Sequence, residues 1–135
     1  MCIRDRALED TGAVTAVAQW SAPWLSTIPP IWTLIAIYLI TVVLTELMTN
    51  NAAAALMFPL GWTVALSVGS DPLPFVMAIA FGASASFLTP FGYTTNLMVQ
   101  NLGGYTRADY LRFGWLVSLT YSAVVLTLLP RVFPF

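Results

Sequence analysis

The run Thr45-Glu46-Leu47-Met48-Thr49-Asn50-Asn51, followed by Ala52 to Ala55, sets one carboxylate and several small hydrogen-bonding side chains inside sequence otherwise apolar enough for a membrane. Polar groups at membrane depth have no water to satisfy them, so they are rare there and usually line a substrate or ion path. A helix arm ending near Met48 aims unpaired carbonyls at residues 49–51, and an arm starting near Ala52 aims its N–H groups there. The patch therefore offers both signs. An anion can accept from backbone donors and from the Asn50 or Asn51 amides, while a small cation can be held by carbonyls and the Thr49 hydroxyl. A second patch, Thr89-Pro90-Phe91-Gly92-Tyr93-Thr94-Thr95-Asn96, has the same inventory: the Thr89, Thr94 and Thr95 hydroxyls, the Asn96 amide, and carbonyls freed around Pro90 and Gly92. Neutral oxygens of this kind suit sodium. Glu46 has three open roles at depth, as cation ligand, proton carrier or partner of an arginine elsewhere, and a fourth, solvated at the interface, if its helix rides higher.

The elements around these patches must be membrane helices. Of the 135 residues 59% are hydrophobic and only 8% charged, and the mean hydropathy is +0.81, whereas soluble domains are about a quarter charged. Charge is absent from residues 11–45, 47–70, 72–106 and 113–130. Each gap can hold a crossing of roughly 17 to 25 residues.

Composition also removes function classes. The net charge is −1, all five basic residues are Arg, and no basic-plus-aromatic stripe exists, which excludes nucleic acid as a partner. With one cysteine, Cys2, and no histidine, there is no internal disulfide, no zinc cluster and no Ser-His or Cys-His nucleophile pair, so an enzyme is not expected. The start Met1-Cys2-Ile3-Arg4-Asp5-Arg6 lacks the pattern of a secretory signal and resembles translated sequencing adapter. Residues 1–6 are therefore expected to be non-native, and the chain to begin inside a longer protein.

A single all-α, polytopic membrane domain over 1–135 is expected. Residues 7–20 read as an amphipathic helix at the interface, and Ser21 to Pro30 as a headgroup-level loop with Trp24. Residues 31–66 form two apolar arms, Ile31 to Met48 and Ala52 to about Leu66, the second with a possible kink at Pro59-Leu60-Gly61. An aqueous turn at 49–51 would need Gly, Pro or charge, and none is present, which favours a re-entrant hairpin with a buried tip. After the exposed loop Val68 to Pro74, residues 73–104 read as a discontinuous transmembrane helix. Its first part runs from Phe75 to Leu88, with Gly82 and Ser86 as a small-residue packing pair, and it restarts over Leu97 to Gln100 capped by Asn96. Asn101 to Tyr105 break it again. The last span is 113–130, and Arg107 and Arg112 before it against Arg131 after it favour a cytoplasmic start and an outward C-terminus.

At Thr45 to Ala55 and at Leu88-Thr89-Pro90-Phe91-Gly92-Tyr93-Thr94-Thr95-Asn96-Leu97-Met98 the sequence resembles the C-terminal half of the divalent anion:sodium symporter family, the dicarboxylate and sulfate carriers of the ion transporter superfamily (solute carrier family 13). In that family each of two inverted repeats carries a re-entrant hairpin with a Ser-Asn-Thr tip and a broken helix with a Thr-Pro element. Thr49-Asn50-Asn51 matches the tip with Thr for Ser and Asn for the final Thr, and Thr89-Pro90 with Asn96 matches the broken helix. The Asn-Asn tip looks closest to bacterial permeases with added cytoplasmic regulatory domains, some assigned to sulfate. The resemblance implies sodium-coupled symport of a divalent anion, dicarboxylate or sulfate, by an elevator movement, in a homodimer in the inner (plasma) membrane of a bacterium. One repeat is present, so the chain should supply about half of a site and not transport alone.

The expected assignment is then anion at Thr49, Asn50, Asn51, Thr94 and Thr95, sodium at Thr49, Asn50, Thr89, Pro90 and Asn96, and no fixed role for Glu46. Two other classes compete. Water channels also use Asn-bearing half-helices, but with Pro between Asn and Ala, whereas Asn51 is followed by Ala52. A structural membrane subunit without transport is favoured if Asn50 and Asn96 merely bridge helices.

Overall fold

The computed structural model describes residues 29–90 and 93–133. The amphipathic helix expected over 7–20, the loop up to Ile28 and residues 1–6 lie outside the described residues, as do Phe91 and Gly92. Among the described residues the chain is all-helical, with five helices: α1 (Pro30–Leu47), α2 (Asn50–Val68), α3 (Pro72–Ala83), α4 (Thr94–Gly103) and α5 (Arg107–Val132).

Each boundary has a local cause. Pro30 at the first helical position of α1 needs no N–H partner. Met48 adopts an extended conformation that ends α1, and Thr49 caps α2 by accepting the Ala52 N–H at 3.4 Å. Two residues therefore separate the arms. Gly69 ends α2 in the left-handed region at φ 71°. Asp71 then caps α3, its Oδ1 accepting the Leu73 N–H at 2.9 Å. The start of α5 is closed by the Asp109 carboxylate, which accepts the Thr106 N–H at 2.9 Å and the Thr106 hydroxyl at 2.7 Å.

Three of these helices have bounds that differ from the sequence reading. α3 stops at Ala83 and does not reach Leu88, so Ser86 lies beyond the helix and only Gly82 of the expected pair packs from it. α4 begins at Thr94 behind Tyr93, which places Asn96 inside the helix and not at its cap, and it continues through Asn101 to Gly103. The charged stretch 107–112 is the first part of α5, which also carries Pro130 in its last turn instead of ending there.

α1, α2 and α5 are long and apolar enough to cross a membrane. α3, with 12 residues, reaches only about 18 Å of a core roughly 30 Å thick. The four pack around Leu34, Ile37 and Tyr38 of α1, Met57 and Val64 of α2, Phe75 and Ile79 of α3, and Leu129 of α5. Gly82 lets α3 lie directly on α1, because a Cβ there would stand 3.1 Å from Thr41 Cβ and 3.2 Å from the Tyr38 carbonyl oxygen. α5 is fixed by Tyr38, whose hydroxyl donates to Ser122 Oγ at 3.0 Å, and by Tyr121, whose hydroxyl donates to the Phe81 carbonyl at 3.2 Å. Apolar side chains such as Ile40, Val43, Trp115 and Leu116 are left outside this core, a surface that suits lipid or further protein.

Candidate functional site

The two polar patches meet at the last turn of α1. Thr45 is wholly buried there, with its hydroxyl 2.7 Å from the Ala83 carbonyl and 2.8 Å from the Asn50 side chain. Ala83 is the last residue of α3, whose final carbonyls have no helical donor, so the Thr45 hydroxyl acts as a cap supplied from another helix. A hydroxyl has one proton. Here that proton is shared between two acceptors, the Ala83 carbonyl oxygen and Asn50 Oδ1.

One residue further, Glu46 takes hold of the segment between α3 and α4. Its Oε1 accepts the N–H groups of Phe87 at 2.9 Å and Leu88 at 2.8 Å. Its Oε2 accepts the Thr89 N–H at 2.8 Å and the Thr89 hydroxyl at 2.7 Å, and that hydroxyl also lies 3.0 Å from the Glu46 carbonyl. In a continuous helix these N–H groups would bond to residues 83, 84 and 85. Pro90 denies the helix a donor and its ring would strike the carbonyl of residue 86, so the stretch ahead of it is released and a carboxylate is there to receive it. Pro90 itself is buried.

The far side of the segment is closed by α4 and α5. Asn96 donates from its side-chain amide to the Ser86 carbonyl at 3.3 Å, and its own carbonyl accepts from the Tyr110 hydroxyl at 2.9 Å. Gly114 permits the contact with α5, since a Cβ at that position would collide with the Phe87 carbonyl. The Ser86 hydroxyl is buried at the same place and makes no hydrogen bond among the described residues.

Of the residues expected at the site, Asn50 and Thr89 are thus joined through Thr45 and Glu46, and Asn96 reaches the same segment from α4. Thr49, Asn51, Thr94 and Thr95 are exposed on the first turns of α2 and α4, or just before them. Thr45, Ser86, Tyr110 and Gly114 were not assigned to the site from the sequence, where Thr45 only opened the first polar run and Ser86 was read as a packing residue. The reach of the Pro90 ring back to residue 86 was the available signal for Ser86. A cavity of about 550 Å³ opens between the segment and α5, lined by Phe87, Asn96, Val99, Tyr110, Phe113 and Gly114 among others. Its walls are mainly apolar and it excludes residues 45–51, which makes it a poor receptor for an ion. Among the described residues no cluster of three or more His, Cys, Asp or Glu could hold a metal ion.

No family model matches the chain. Similar proteins include transporters: one of Synechocystis, called uncharacterized, is 38% identical over 125 residues, covering 91% of this chain and 20% of that protein. The uncharacterized transporter YfbS of Escherichia coli is 30% identical over 129 residues, 96% of this chain and 21% of its own length. Sodium/sulfate cotransporter 1 of Chlamydomonas reinhardtii is 44% identical over 81 residues, 60% of this chain and 9% of its own. The chain belongs to the divalent anion:sodium symporter family. It spans about a fifth of the length of the first two of these relatives, and with its apolar helices it is a membrane protein.

Proposed function

We propose that this chain is part of a secondary active transporter that couples sodium to the movement of a divalent anion, sulfate before dicarboxylate, across a bacterial inner membrane. One observation carries the reading: adjacent side chains of α1, Thr45 and Glu46, tie the start of α2 and the unwound segment before Pro90 into a single polar site. Cotransporters named for sodium and sulfate among the similar proteins support the choice of ions.

In this reading α1 and α2 form a re-entrant hairpin with Met48 and Thr49 at its tip, and α3, residues 84–90 and α4 form the broken helix. The anion accepts from the first N–H groups of α2, from the Asn50 and Asn51 amides and from the Thr94 and Thr95 hydroxyls. Sodium is cargo, held by the Thr49 and Thr89 hydroxyl oxygens, the Asn50 and Asn96 side-chain oxygens and the carbonyls around Pro90. Thr89 donates its proton to Glu46 and so keeps oxygen lone pairs to offer. The second half of the site comes from another repeat of the longer protein, the movement is of the elevator type, and the assembly is a homodimer.

The test is uptake of labelled sulfate and succinate into vesicles containing the full-length parent, with and without an inward sodium gradient. Gradient-dependent sulfate uptake is expected, lost in Asn50→Ala and Asn96→Ala proteins that remain folded. Flux independent of the gradient would sink the symporter reading in favour of a passive pore, and no flux of either anion would favour a structural subunit. Wild-type uptake in both variants would refute the residue assignment.

A further inference from the structure

A carboxylate has about four lone-pair directions, and Glu46 has all of them occupied by donors of its own chain, three of them consecutive backbone N–H groups. The arrangement is shaped for the main chain of 87–89. Oε1 spans two adjacent amides, and Oε2 takes the third amide together with the Thr89 hydroxyl, whose single proton points between Oε2 at 2.7 Å and the more distant Glu46 carbonyl at 3.0 Å. The neighbouring Thr45 caps α3 at Ala83, so one helical turn holds both edges of the unwound stretch. On the opposite side Gly114 seats the Phe87 carbonyl.

From this geometry we infer that Glu46 is a positioning residue: it is the acceptor that keeps residues 87–89 unwound and docked on the end of α1, and it is not a ligand of the transported ion or anion. The inference rests on the transporter reading for what is being positioned, and on the hydrogen bonds alone for how. It separates charge from cargo. The acid that the described residues place beside the tip serves the backbone, and the ions are left to neutral oxygens and amides.

The experiment uses the full-length parent in lipid vesicles and a Glu46→Gln variant, which keeps the length of the side chain but turns an NH2 group toward N–H donors. Two readouts are taken together: amide hydrogen exchange of residues 86–89, and the sodium-to-sulfate ratio of uptake. Exchange at 87–89 is expected to accelerate about tenfold or more, as loss of hydrogen bonds to a charged group implies, while α2 and α5 keep their protection. The Michaelis constants for sodium and sulfate should rise together, with the sodium-to-sulfate ratio unchanged. Unchanged exchange at 87–89 would overturn the positioning role, and a ratio lowered by one sodium would overturn the claim that Glu46 is no ligand. If Glu46→Gln does not fold, Thr89→Val removes one donor and leaves the charge, and the same local acceleration is then required. Should the wild type fail to transport at all, the transporter reading falls while the exchange measurement still decides the role of Glu46.

Discussion

Pro59 and Pro90 sit in similarly apolar sequence and have opposite effects. Pro59 lies inside α2, which continues past it to Val68, and its carbonyl accepts the Thr63 hydroxyl at 2.8 Å. Pro90 closes a stretch that left the helix at Ala83. Each ring withholds one N–H and crowds the carbonyl four residues earlier, so the proline itself does not explain the difference. The surroundings do. Around Pro90 the released amides find the Glu46 carboxylate and the last α3 carbonyl finds Thr45, whereas among the described residues no carboxylate accepts from the backbone around Pro59, and the helix stays closed around it. A broken helix in a membrane thus needs a receiver as well as a breaker.

This contrast can be tested by mutation in the full-length parent, with thermal unfolding in detergent as the common measurement. The largest effect is expected from Gly114→Ala, whose Cβ meets the Phe87 carbonyl, a backbone atom that cannot swing aside; stability should fall by about 3 kcal/mol through overpacking. Next comes Thr45→Val, which strips the Ala83 carbonyl and Asn50 of a buried partner and should lower stability by about 2 kcal/mol. If the two patches were independent, this substitution would leave amide exchange near Asn50 untouched, and a faster exchange is expected. Pro59→Ala restores a helical donor and should raise stability by about 1 kcal/mol. The smallest effect on the helix boundary is expected from Pro90→Ala, because Glu46 still holds residues 87–89, and trimming the buried ring should itself cost only about 1 kcal/mol. Spin labels at positions 80 and 98 should report an unchanged separation, and a lengthened α3 would show that the proline alone makes the break.

Much of the helical layout was legible in local sequence. The apolar runs located α1, α2 and the last span, and the four alanines marked the start of α2 to within two residues, the helix beginning at Asn50 where the reading had it near Ala52. The end of α3 was not legible in the same way, because its determinants lie 41 to 43 residues upstream in Glu46. The run from Phe75 to Leu88 looks helical by composition, and only a distant acceptor makes it otherwise. Asn96 misled for a related reason: its side chain resembles a cap, yet Tyr93 precedes the helix and the amide is drawn to the Ser86 carbonyl. Glu46 was conspicuous from the start, but three of its four donors are backbone groups, and backbone groups leave no mark in the residue alphabet.

The wide spacing between Glu46 and its amides also has a consequence in time. The ribosome makes the acid more than forty residues before the last of the N–H groups that will surround it. Until Thr89 has emerged and α3 has settled on α1, none of the four donors that surround the carboxylate among the described residues is in place, and water must serve it instead. The end of α1 therefore stays wet while the first two helices enter the membrane, and sealing of the junction is a late event in assembly, completed only when the chain returns to it.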